Sequence, residues 1–361
     1  MELVRLICGD FRCLEAVDFR AEPGMNVIRG DNAQGKTSLL EALFYAVTSR
    51  SHRTSTEAEL ARHGCAGFRI EAQVRRVDRD VTLEVTWWNG AKRVKVNGVA
   101  QNRVSDILGK VYVVLFSPED TILVRGSASH RRKFLDMTLS QLSPAYLTAL
   151  QQYRRSLRQR NETLRNDGGP VDPQLVEAWS VPLAEHGATL MKYRNDFVNQ
   201  LGTHAGRSYG ELTRGESLEV AYSPDIQPDA VFLDVLKQTF VSDVKRGVTT
   251  RGPHRDDFEL TIAGSPARNY ASQGQQKSAA LALRWAELAV IAEQIGEYPI
   301  LLLDDVLSEL DESRSRRLFN ALDDDVQCLL TTTKPSGPEL IDNKTIAECL
   351  ISGGRIETKA K

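Results

Sequence analysis

Residues Gly30–Thr37 read G-D-N-A-Q-G-K-T, a complete match to G-x-x-x-x-G-K-S/T. No other feature constrains the fold as much. The chain must climb a strand, turn sharply through a loop of backbone N–H groups, and enter a helix whose N-terminus faces an anion. The flanks agree. Met25–Arg29 is an apolar run bounded by Pro23-Gly24 and Gly30, and Leu39, Leu40, Leu43, Phe44 and Val47 then recur at helical spacing. Gly30 and Gly35 lack the Cβ that would obstruct this path. Asp31, Asn32, Ala33, Gln34 and Ser38 complete the binding loop. Lys36 is expected to reach the β- and γ-phosphates of ATP, and the Thr37 hydroxyl to help hold Mg²⁺.

A phosphate loop needs a carboxylate at the end of a neighbouring strand. Ile300–Leu303 runs straight into Asp304 and Asp305, at the strand edge where doubly wound sheets bind ligands. Asp304 is the expected metal-side ligand, and Asp305 the residue that polarises attacking water. Lys36 and Asp304 lie 268 positions apart, much farther than the two parts of compact P-loop kinases and GTPases. No N-K-x-D guanine-reading signal appears. A third element, Ser272-Gln273-Gly274-Gln275-Gln276-Lys277, opens a helix. It resembles the S-x-G-Q signature of ABC-type ATPases, which meets the γ-phosphate held by a second protomer. Ser272, Gly274 and Gln275 are therefore expected on the nucleotide of a partner copy. Ser308-Glu309-Leu310-Asp311 reads like an ABC D-loop. Thr331–Thr333 end the next strand, where a switch residue would sense the γ-phosphate; transporter ATPases have histidine there.

The intervening chain carries the insertion. Residues 68–99 alternate as antiparallel strands with Asn89-Gly90 and Asn97-Gly98 turns, and 111–116 reads as a buried strand. From about 127 to 245 long helices take over, with Tyr146, Leu150, Tyr153, Leu157 and Leu164 on one seam and Val176, Leu183, Leu190, Phe197 and Leu201 on another, around a break at Asn166–Pro173. The pattern predicts an antiparallel hairpin projecting from the body, the alternative being a helical subdomain packed on the core. The fold is read as α/β: a P-loop ABC-type ATPase head, mixed sheet plus antiparallel β lobe, with an inserted helical arm. Head residues are 1–120 and 246–361, and the arm is 121–245.

The net charge of −2 gives no general drive toward nucleic acid. Between Arg125 and Arg165, however, nine Lys/Arg face only Asp136 and Glu162. Arg131, Arg132, Arg154, Arg155 and Arg158 are the DNA candidates, as phosphate contacts without base reading. Five scattered cysteines without a C-x-x-C pair argue against a disulfide framework or a zinc site. They suit a reduced, cytoplasmic setting, and no apolar run is long enough for a membrane span.

Taken together, Asp10-Phe11-Arg12, GDNAQGKT followed by SLLEAL, FSPED at 116–120, Arg131–Asp136, GPHRDD at 252–257, SQGQQK and LLLDDVLSELD at 301–311 resemble SMC-type ATPase heads, and within them the RecF family. The short arm favours that family over relatives with very long coiled coils. The resemblance implies an ATP-dependent homodimer that clamps single-stranded and gapped or junction DNA and turns ATP over slowly. It also implies action in replication-gap repair, helping RecO and RecR load RecA. Two rivals stand beside it. One is a transporter-type ABC ATPase, disfavoured by the inserted arm. The other is a non-catalytic scaffold, disfavoured by the Asp304-Asp305 pair.

Overall fold

The computed structural model describes residues 1–165, 170–213, 215–227, 229–309, 311–333 and 346–358. The chain divides into two compact units. The first comprises Met1–Thr121, Ser208–Gly215 and Lys277–Lys361, the second Ile122–Arg207 and Glu216–Gln276.

The first unit holds two six-stranded sheets. One is antiparallel, built from β1 (Glu2–Phe11), β2 (Leu14–Arg20), β4 (Gly67–Arg75), β5 (Asp80–Trp88), β6 (Ala91–Val96) and β7 (Val99–Ala100) in the order β2-β1-β4-β5-β6-β7. Its hairpins turn where expected. Asn89 and Gly90 have φ 47° and 84°, and Asn97 and Gly98 have 51° and 79°. Paired positive φ angles match the twist of the flanking strands.

The other sheet carries the chemistry. It comprises β3 (Met25–Arg29), β8 (Val113–Phe116), β12 (Ile300–Leu303), β13 (Cys328–Thr332), β14 (Ile346–Ser352) and β15 (Arg355–Thr358), ordered β15-β14-β3-β13-β12-β8. All its pairings are parallel except β14 with β15. Every residue of β8, β12 and β13 is buried, which is why these strands read as continuous apolar runs. The sequence reading put the aspartates on a strand adjoining the phosphate-loop strand. They end β12, and β13 lies between it and β3. From Gly35 the chain enters α1 (Lys36–Thr48), whose Leu39, Leu40, Leu43 and Val47 are fully buried. Each such side chain contributes roughly 1.5–3 kcal/mol through burial, and this anchors the helix that carries Lys36 and Thr37.

The second unit contains α2 (Ala128–Leu142), α3 (Pro144–Arg165), most of α4 (Pro173–Thr213) and a small sheet, β11 (Ser265–Pro266), β10 (Asp257–Ile262) and β9 (Leu218–Ser223). The two helical seams are buried, apart from a half-exposed Leu157. Of the predicted break, Asn166–Gly169 lie outside the described residues. This unit runs past the expected limit at 245 to Gln276, because β10 pairs along its whole length with β9. Its interior is cross-linked by arginines. Arg160, fully buried, donates to Ser180, Asp243 and Thr249 at 2.7–2.8 Å. Arg194 donates to Asp136 and Asp256, both at 2.9 Å.

Candidate nucleotide site

At the C-terminal edge of the parallel sheet, in the first unit, lies a cleft of about 570 Å³ whose walls include Asn32, Ala33, Gly35, Lys36, Thr37 and Ser38, together with Asp304, Asp305 and Thr333. Gly30, Asp31 and Gln34 are not among its walls. Gly35 caps α1 in the left-handed region, φ 109°, and a Cβ there would also meet Leu14 at 2.9 Å. The first-turn N–H groups of α1 have no intrahelical acceptors and begin at this cleft. Lys36 Nζ donates to the carbonyls of Gly30 and Asp31, each at 2.7 Å. Burial holds its ammonium below the usual lysine range, opposed by Asp305, Asp304 and Asp31.

Thr37 Oγ1 lies 2.9 Å from both carboxylate oxygens of Asp304. Thr331, buried at the end of β13, donates to Asp304 Oδ1 at 2.7 Å, and its hydroxyl accepts the backbone N–H of Asp305 at 2.9 Å. The strand between β3 and β12 thus supplies the hydroxyl that spaces the two aspartates. Of the expected switch residues, Thr331 serves this bridge and Thr333 faces the cleft. Asp305 has φ 48°, a conformation that costs a non-glycine residue on the order of 1 kcal/mol or more and clusters at functional sites. Its Oδ2 accepts from Ser308 at 2.8 Å. Its Oδ1 is buried and meets no protein donor. In the D-loop-like segment, Leu310 lies outside the described residues.

The donor set fits the expected groups. One hydroxyl and one carboxylate beside a phosphate loop are the sparse protein ligands that Mg²⁺ takes when phosphates and water complete its shell. Among the described residues no cluster of three or more His, Cys, Asp or Glu competes as a metal centre. Asp305 Oδ1 thus keeps an acceptor that no protein donor uses.

Sequence reasoning missed part of the wall. Arg12, Cys13, Arg53, Glu59 and Ala61 also line the cleft. Arg12 sits in the tight β1–β2 connection with φ 54°. Its guanidinium grips Glu41 through two bonds of 3.0 and 2.8 Å. Arg53 reaches the same carboxylate at 3.3 Å and Ser51 at 2.5 Å. Glu41, on α1, is wholly buried. Burial pushes its carboxyl up, but the bonds from Arg12 and Ser51 prevail and hold it below the usual range. One acid thereby fixes two cations in the cleft wall. The apolar stripe gave no sign of this, because Glu41 stands off the Leu39–Leu43–Val47 face and is buried only because nearly all of α1 is enclosed; a glutamate so buried is found almost only when paired.

Ser272, Gly274 and Gln275 belong to the second unit, at the start of α5 (Gln273–Ile295). Gln275 N donates to Ser272 Oγ at 3.2 Å, and Ser272 N donates to Gln275 Oε1 at 2.9 Å. This reciprocal cap holds an exposed helix N-terminus.

The arm candidates separate sharply. Arg131 is withdrawn as a DNA contact, because it is 4% exposed and its guanidinium is engaged by Asp257 at 2.6 and 2.7 Å and by the Leu123 and Gly126 carbonyls. Arg132 is half-buried and donates to the Asp256 carbonyl at 2.6 Å. Arg154 pairs with Asp136 at 2.8 Å while remaining partly exposed. Arg155 and Arg158 are exposed. The buried Arg160 was among the nine cations counted, so the basic surface is smaller than the sequence suggested.

Comparison with known proteins identifies the family. Residues 2–344 match the family described as RecF/RecN/SMC N terminal domain. DNA replication and repair protein RecF of Halalkalibacterium halodurans is 39% identical, with 97% of each chain covered. The RecF of Listeria welshimeri is 37% identical over 96% of each. A solved structure of the recombination mediator protein RecF with ATP, in the RecFOR pathway, superposes with a TM-score of 0.91 at 34% identity, covering 99% of this chain and 97% of that one. An Smc head domain from Pyrococcus furiosus, at 14% identity and a TM-score of 0.59 over 98% and 95%, shares the fold.

Proposed function

The chain belongs to the RecF family within the RecF/RecN/SMC N-terminal domain group, and from that premise we propose that it is an ATP-driven DNA-binding switch for recombinational repair at replication gaps. The observation that carries the reading is the convergence on one cleft of Thr37, in the first turn of α1, and of Asp304 and Asp305, just past the end of β12.

In this reading Lys36 and the α1 N-terminus hold the polyphosphate, with Arg12 and Arg53 adding positive charge. Thr37 and Asp304 would hold Mg²⁺, which would supply neutralisation of phosphate charge. Asp305 orients and polarises the attacking water through Oδ1, while Ser308 fixes Oδ2. The exposed Ser272 cap is a ready anion site, and it engages the γ-phosphate of a second copy, so ATP closes a homodimer. Loss of the γ-phosphate removes that contact and reopens the dimer. Turnover is slow, and the closed state holds single-stranded and gapped DNA through phosphate contacts without sequence preference. RecR and RecO are the partners, and RecA loading is the outcome.

Sedimentation with Mg²⁺, with and without ATP, tests this beside Ser272→Arg. The expected result is an ATP-dependent dimer that the variant abolishes while still binding ATP as a monomer. A monomer under every condition that still hydrolyses ATP would overturn the two-chain site.

A further inference from the structure

The last variable position of the phosphate loop, Gln34, is not a wall of the cleft. Gln34 is held from behind by the turn of the β14–β15 hairpin. Gly353 N donates to Gln34 Oε1 at 2.6 Å, and Gly354 N to the Gln34 carbonyl at 3.1 Å. The same hairpin fits against both loop glycines. A Cβ on Gly30 would collide with the Ile351 carbonyl oxygen, and one on Gly35 would come within 3.3 Å of Ile351 Cδ1. Gly354 is itself seated on the β1–β2 connection, where a Cβ would strike the Cys13 carbonyl, and it has φ 73°. Ile351 is fully buried. All these groups belong to the first unit.

We propose that the C-terminal β-hairpin is a positioning element of the nucleotide cradle, and that Gln34 is the joint through which it sets the loop's shape. This rests on the reading of the cleft as a nucleotide site. A phosphate loop binds through backbone N–H groups, so its affinity depends on how well the backbone path is fixed beforehand. Gly30 itself makes no wall of the cleft, so the absence of a side chain there serves the hairpin. Gln34 acts on the nucleotide only through the backbone it pins and is a positioning residue.

The test measures ATP affinity with a fluorescent analogue, and turnover at saturating ATP, for the native protein, Gln34→Met, Gly354→Ala and the double variant. Gln34→Met keeps the side-chain length and loses the acceptor. It is expected to raise the Kd for ATP about two- to tenfold, the equivalent of one neutral hydrogen bond, and to change turnover at saturating ATP by less than it changes the Kd. Gly354→Ala is expected to raise it more, and Gln34→Met to add nothing in that background. A Kd unchanged by Gln34→Met overturns the proposal, and so do effects that simply add, since additivity would mean that Gln34 acts without the hairpin. If Gly354→Ala does not fold, the Kd of Gln34→Met alone decides. Failure of the native protein to bind ATP would instead overturn the nucleotide-site reading, and this proposal with it.

Discussion

Thr37 Oγ1 and Asp304 meet at 2.9 Å across 267 residues of chain. Thr331, on the strand between theirs, bonds the same carboxylate at 2.7 Å. The hydroxyls of two threonines thus orient one acid, and the Thr331 hydroxyl also accepts the backbone N–H of a fourth residue, Asp305. Division of labour between the adjacent aspartates leads to the first expectation.

Asp305→Asn should leave ATP binding within a few-fold of native and lower turnover by roughly a hundredfold or more, the range for loss of a positioned base. Asp304→Asn should instead weaken Mg²⁺-dependent binding. Parallel titrations with and without Mg²⁺, followed by single-turnover hydrolysis, separate the two.

Glu41→Gln removes the charge that Arg12 and Arg53 share. Breaking a buried pair costs about 3 kcal/mol at the lower end of its range, which is appropriate because Arg53 is 42% exposed at its side chain. Chemical denaturation should register that loss. ATP affinity should fall further than ADP affinity, since two cations leave the polyphosphate wall.

Thr331→Val preserves shape and removes the bridge between Asp304 and the Asp305 amide. The stranded amide should cost about 1–3 kcal/mol, and catalysis should fall because Asp305 loses its alignment. Denaturation midpoints and turnover measured together are the check.

On the arm, replacing Arg155 and Arg158 by Ala should weaken DNA binding equally across sequences and flatten the log Kd against log salt slope by about 2, near 0.9 per phosphate contact. Arg131→Ala should instead lower the melting temperature, because it strands the carboxylate of Asp257. Salt titrations on single-stranded and duplex DNA beside thermal melts discriminate between them.

His254 supplies a pH signature. Its Nε2 lies 3.1 Å from the Thr249 carbonyl and so carries the proton, and Nδ1 accepts from Tyr153 at 2.6 Å. Burial lowers its pKa, with Arg255 and Arg132 acting in the same direction against the Thr249 bond and Asp225. The unfolded chain therefore takes up a proton first, near pH 6.5. The stability that neutral His254 contributes is present above that value and declines as pH falls toward the lowered native value. Melting temperatures from pH 8 to 5 should decline more gently in His254→Asn than in the native chain.

Much of this was legible in the residues. The loop motif, the apolar strand ending in two aspartates and the Asn-Gly turns each carry a local rule, and each stands where that rule put it. The order of the parallel strands carries no local rule. Nothing within ILLLDD or CLLTT says that the second lies between the first and the phosphate loop, so the bridging part played by Thr331 was hidden. Burial of charge was equally opaque on the arm. Arg131 and Arg155 look alike in sequence, and only the approach of Asp257, more than a hundred residues away, turns one into an internal brace. Gln34 was read as loop lining for the same reason, because its partners lie more than 300 residues downstream.

The parallel sheet also sets a timetable. Its phosphate-loop strand β3 is made early in synthesis, yet both of its neighbours, β13 and β14, come from the last tenth of the chain. Until the ribosome has passed Thr332, β3 is an unpartnered apolar strand, the kind of segment that chaperones shield and that aggregates when they do not, and its second neighbour comes only with Leu350. A message cut short between the codons for Thr37 and Cys328 yields a polypeptide with an intact GDNAQGKT and neither strand that pairs with β3.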